Sequence, residues 1–76
     1  MDRGAVWKKL GAPRDQVGSV NDPRTHESCG VKWNEKWEYP LPDGSERVVL
    51  WNRYDLVGVC VVRTDGSFEP DPVLGK

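Results

Sequence analysis

A chain of 76 residues with 11 basic and 12 acidic side chains has a net charge of −1 and room for one small domain. Chains of this size bury only about 60–65% of the surface that the unfolded form exposes. Their cores rarely supply more than ~3–5 kcal/mol unaided. Residues 1–30 carry five basic and four acidic side chains and residues 31–76 carry six and eight, so neither part has the basic footprint of a nucleic-acid or anionic-membrane binder.

Four tryptophans partly offset the thin core, since each ring buries roughly 150–250 Å² when packed. No run of 18 apolar residues is present to span a membrane. The segment from Met1 to Lys9 lacks the apolar centre of a secretion signal. The expected location is therefore cytoplasmic, where Cys29 and Cys60 would remain separate thiols.

Residues 1–29 read as an irregular arm. Ala5-Val6-Trp7-Lys8-Lys9-Leu10 suits one short helix over residues 4–10, with Val6 and Leu10 on a shared face. Asp2 stands at its positive end, and Gly11 and Pro13 stop it. An extended edge strand is the competing reading. A helix this short forms only if Trp7 and Leu10 dock on something. Residues 11–29, with Gly11, Pro13, Gly18, Asn21, Asp22 and Pro23, have loop composition. Such an arm is mobile, wraps the sheet or reaches a partner.

Residues 30–70 predict an antiparallel β-meander of three or four strands. From Val31 to Leu41 the odd positions include Val31, Trp33, Trp37 and Tyr39 and the even positions are mostly charged, which predicts one continuous strand with a single aromatic face. Glu35 interrupts that face. Leu41-Pro42-Asp43-Gly44-Ser45 reads as a three-residue loop with Gly44 left-handed, pairing Trp37 with Val49, Glu35 with Trp51 and Trp33 with Arg53. Loops of two or four residues would instead pair Trp37 with Leu50.

Arg47–Trp51 and Leu56–Val62 are apolar on both faces, as in strands covered on both sides. One small sheet cannot cover both its faces, so the second cover must be the arm or another subunit. Gly58 marks a bulge or a close approach. Thr64-Asp65-Gly66-Ser67 repeats the first turn and returns Phe68 beside Val62. Pro70 and Pro72 end that strand, residues 71–76 form a C-terminal tail, and Val73-Leu74-Gly75-Lys76 within it is expected to fray.

Several residues are candidates for chemistry or binding. His26 and Cys29 have the two-residue spacing of half a zinc site, with Cys60 as a third soft ligand; a structural site needs four ligands, and no clear fourth exists. The same His26–Cys29 pair could make a thiolate nucleophile, but lacks the surrounding nucleophile motif. Glu35 among aromatic residues is either a carboxyl of raised pKa or, more simply, half of an ion pair with Arg53 or Arg63. Trp33, Trp37, Trp51 and Tyr54 with Arg53 and neighbouring lysines could stack single-stranded nucleic acid, make a protein contact, or form a tryptophan-rich core.

The fold expected is thus mostly β, with α+β admissible: a three- to four-stranded antiparallel meander, an irregular N-terminal arm and at most one short helix. The function expected is a small non-enzymatic binding module without a cofactor. It would meet a protein partner or a second copy of itself through an aromatic sheet face formed by Trp33, Trp37, Trp51, Tyr54, Arg53 and Glu35. The alternatives are single-strand nucleic-acid binding through the same face, and a metal or thiol protein using His26 and Cys29.

Overall fold

The N-terminal helix forms where its caps place it. In the computed structural model, which describes residues 2–74, α1 spans Arg3–Leu10. The Asp2 side chain accepts a hydrogen bond from the Ala5 amide, and Gly11 ends the helix at φ 82° while its amide donates to the Trp7 carbonyl. Asp2 thereby satisfies one of the unpaired first-turn amides.

Seven strands follow among the described residues: β1 (Asp15–Gly18), β2 (His26–Ser28), β3 (Val31–Trp33), β4 (Glu35–Pro40), β5 (Glu46–Asn52), β6 (Asp55–Val62) and β7 (Phe68–Pro70). A 3-10 turn over Pro72–Leu74 closes the described chain. Five strands form one antiparallel sheet in the order β1-β4-β5-β6-β7, and β2 and β3 form a separate hairpin. The β4–β7 meander matches expectation, but the whole is larger than a three- to four-stranded meander. The arm wraps the sheet: β1 is its outer strand beside β4.

The β4–β5 turn has the register that Pro42-Asp43-Gly44 predicts. Glu35 pairs with Trp51 and Trp37 with Val49, and Gly44 takes φ 89°. Thr64-Asp65-Gly66-Ser67 repeats the turn and sets Phe68 beside Val62. Between β5 and β6 the register shifts at Leu50/Trp51, where Leu50 faces Gly58 and Trp51 faces Leu56. A Cβ at Gly58 would lie 3.2 Å from a Val31 methyl, so the glycine accommodates both the bulge and the hairpin above it.

The expected first strand is not continuous. It breaks at Asn34, which is 1% exposed. The Asn34 side chain donates to the Val20 carbonyl at 3.2 Å and accepts from the Arg53 amide at 2.9 Å. Its backbone amide donates to the Trp51 carbonyl, and its carbonyl accepts from the Ser19 amide. Four hydrogen bonds thus hold a bend that alternation alone does not reveal. In consequence Trp33 pairs with His26 rather than Arg53, and it lies on the opposite side of the sheet from Trp37.

Both faces of the central strands are covered within the chain. On one side Trp37, Tyr39, Val49 and Trp51 pack with Val6 of α1 and with Leu74, with Leu10 and Val73 at the margin. On the other, Val48, Leu50 and Cys60 pack beneath Trp33, with Val31 and Cys29 of the hairpin alongside. Fully burying Val6 contributes roughly 1.5–3 kcal/mol, which explains how so short a helix persists. The tail does not fray over its described part: Leu74 is buried, and Asp71 pairs with Arg47 at 2.6 Å. Gly75 and Lys76, also expected to fray, lie outside the described residues.

Candidate functional site

A buried carboxylate, Glu35, lies under α1. The Glu35 carboxylate accepts from an Arg3 guanidinium nitrogen at 2.7 Å and from the Trp37 indole N–H at 2.5 Å. The Arg3 guanidinium carbon sits 4.9 Å from the Trp37 ring centroid and 5.0 Å from that of Trp51. Trp7 meets Trp37 edge-on at 5.6 Å. β4 and β5 bring Glu35 opposite Trp51, and the Asp2 cap starts the helix so that Arg3 reaches both. The ion pair expected for Glu35 exists, but its partner is Arg3 rather than Arg53 or Arg63. Chemically this is a closed cation–π and carboxylate cluster, with Glu35 already engaged by two donors.

The six residues expected to share one face do not share it. Trp33, Trp37 and Trp51 are 4%, 2% and 0% exposed, which leaves no open ring face for a base or a partner. Arg53, at φ 59° in the two-residue β5–β6 turn, donates a side-chain hydrogen bond to the Val20 carbonyl at 2.8 Å. Tyr54 beside it is 68% exposed. His26 lies against Trp33 with ring centroids 4.8 Å apart.

The expectation of two free thiols is overturned. Cys29 and Cys60, 31 positions apart, form a disulfide with Cα atoms 6.7 Å apart, because the β2–β3 turn overhangs the middle of β6. Their sulfurs are therefore not thiolate ligands or nucleophiles in this state. Among the described residues no group of three or more His, Cys, Asp or Glu side chains is placed to hold a metal ion.

Two further features bear on function. The first is the pair of similar turns that the sequence shows, which lie together at one end of the sheet. Asp43 accepts from the Ser45 amide and hydroxyl, and Asp65 accepts from the Ser67 amide and hydroxyl. These bonds, the hydroxyl's foremost, hold both carboxyls below the ordinary Asp value.

The second is an open strand edge. β7 pairs only with Cys60–Val62, and the Asp71 amide reaches the Val59 carbonyl. Beyond that point Asp55–Gly58 has no strand neighbour on its outer side among the described residues. A cleft of about 260 Å³ lies there, lined by Leu56, Val57, Gly58, Val59, Pro70 and Asp71. A second, of about 180 Å³, shares Gly58, Val59 and Pro70 with it and extends to Phe68, Val31 and the disulfide. Phe68 is 53% exposed. The short β7, ended by Pro70, is the sequence signal that could have located this edge.

No helix among the described residues is long and apolar enough to cross a membrane. No protein-family model, curated protein or solved structure matches the chain.

Proposed function

We propose that this chain is a non-enzymatic binding module that takes an extended segment of a partner protein as an added strand along Asp55–Gly58 of β6. The observation that carries this reading is the open edge itself, flanked by apolar clefts on both sides of Gly58. Strand addition draws affinity from main-chain hydrogen bonds and specificity from side-chain pockets along the edge, and this edge offers both. Phe68, Val31 and Leu56 supply apolar contact, and Asp71 lies at the rim already paired with Arg47. The engagement of Glu35 by two donors and of both cysteines in a disulfide supports a non-enzymatic reading.

A cytoplasmic location remains our expectation. In that compartment a disulfide is ordinarily transient and redox-sensing.

The test is an amide-resolved titration of the isotope-labelled protein with a panel of extended heptapeptides of alternating apolar and polar residues. Chemical-shift changes concentrated at Leu56–Val59 and Phe68 are expected, and Phe68→Ala should weaken them about fivefold or more. Changes elsewhere, or none across the panel, refute the reading. A parallel concentration series of the protein alone separates the other occupant: shifts at the same edge with a doubled solution mass would assign it to a second copy.

A further inference from the structure

The β2–β3 hairpin shares no strand pairing with the five-stranded sheet. It is held at its base by the hydrogen-bonded bend at Asn34, along its length by the packing of Trp33 and Val31, and at its turn by one covalent cross-link, Cys29–Cys60. Cys29 and Gly30 are the two central residues of its turn, between Ser28 and Val31, with φ 55° and 78°. Two positive φ values mark a turn of the kind that favours Asn-Gly or Gly-Gly. Cys29 is thus a side-chain-bearing residue in the left-handed region, where it is disfavoured. Its side chain reaches across to Cys60 in β6. The bond is not sealed: both cysteines line the 180 Å³ cleft beside Phe68, with Cys29 half-buried and Cys60 buried.

We propose that Cys29–Cys60 is a reversible redox clasp, opened by a dithiol reductant, whose opening releases the hairpin from β5 and β6. A reductant thiolate entering from the cleft attacks the Cys29 sulfur. The S–S bond breaks, a mixed disulfide forms, and Cys60 leaves as a thiolate that takes up a proton. The reductant's second thiol, as its thiolate, then attacks the mixed disulfide, forming the oxidised reductant and freeing Cys29, which is protonated in turn. Two electrons and two protons pass to the protein, and the dithiol becomes a disulfide. With the bond gone, nothing covalent holds Cys29 at positive φ over β6. The hairpin loses its turn geometry and its anchor together, and Val48 and Leu50 lose their cover. The clasp does not depend on what the β6 edge binds.

The experiment follows amide exchange in the full chain, oxidised and then treated with excess dithiothreitol under native conditions. Reduction should raise exchange at Val31–Trp33 about tenfold or more, leave Trp37 and Val49 protected, and reverse on reoxidation. Three outcomes overturn the proposal: a disulfide that resists the reductant, hairpin exchange unchanged after reduction, or protection lost equally at Val49. The last would make the bond a global staple.

A pair of variants isolates the backbone contribution. Cys29→Ser with Cys60→Ala keeps a disfavoured residue in the turn, whereas Cys29→Gly with Cys60→Ala does not. The glycine variant should hold its hairpin severalfold better protected than the serine variant. Equal protection in the two would remove the turn from the device.

Discussion

Replacing Asn34 with alanine should remove a large part of the stability that the core supplies. The substitution removes two hydrogen bonds from a residue that is 1% exposed: the one its amide nitrogen donates to the Val20 carbonyl and the one its oxygen accepts from the Arg53 amide. The Val20 carbonyl keeps the Arg53 guanidinium as a partner, whereas the Arg53 amide is left with none. Each lost bond is worth about 0.5–1.5 kcal/mol, and because Arg53 lies in an exposed turn, water can take up its freed amide. A loss of about 1–3 kcal/mol follows, against only ~3–5 kcal/mol from a core of this size. The melting temperature should fall by roughly 5–20 °C. Urea unfolding followed by tryptophan emission measures this directly, because three of the four rings are buried. A loss below about 0.5 kcal/mol at unchanged m-value would refute the assignment of the bend to this side chain.

Two other outcomes are expected. Arg3→Met leaves Glu35 with the Trp37 indole as its one remaining partner and should destabilise by about 2 kcal/mol, less than for a fully buried pair because Arg3 is partly exposed. Adding Glu35→Gln should recover part of that loss, with a coupling of about 1 kcal/mol in a double-mutant cycle of urea midpoints; strict additivity would deny the pair. The carboxyls of Asp43 and Asp65 are held low by Ser45 and Ser67, so their stabilising contribution is present above the ordinary Asp value of 3.8 and is lost as pH falls through the lower folded values. Ser45→Ala and Ser67→Ala should move each carboxyl back toward that ordinary value in an NMR titration and flatten the acid side of the stability curve.

What could be read from residues alone was the part encoded locally. Pro42-Asp43-Gly44 fixed the β4–β5 register through the backbone needs of one turn, and Asp2 with Gly11 bounded α1. The double-sided apolar run of β5 is covered on each face by the chain itself, whereas the like run of β6 is mostly half-buried, with Cys60 alone buried. What escaped depends on distant partners. Asn34 looks like any solvated even position until Val20 and Arg53 are placed around it. β1 is exposed at every residue, so it carries no alternation and is held through backbone pairing to β4. Arg3 and Glu35 are 32 positions apart, and nothing near either announces the other. The disulfide escapes for a different reason: two cysteines without an export signal point to separate thiols, whereas their pairing follows from where the β2–β3 turn sits over β6. The expected aromatic face failed with the bend at Asn34, which sends Trp33 to one core and Trp37 to the other.

The order of strands across the sheet also sets an order in time. β4 through β7 are joined by short reversals and can assemble as each follows the last. β1 docks on β4, α1 docks on β4, β5 and the Pro72–Leu74 turn, and the hairpin settles on β5 and β6. During synthesis, at about 5–20 residues per second, the arm emerges before the strands it rests on and has no surface until β4 and β5 have followed. The earlier segments therefore wait on surfaces made later, and a chain interrupted before β5 would carry Val6, Trp7 and Leu10 in the open.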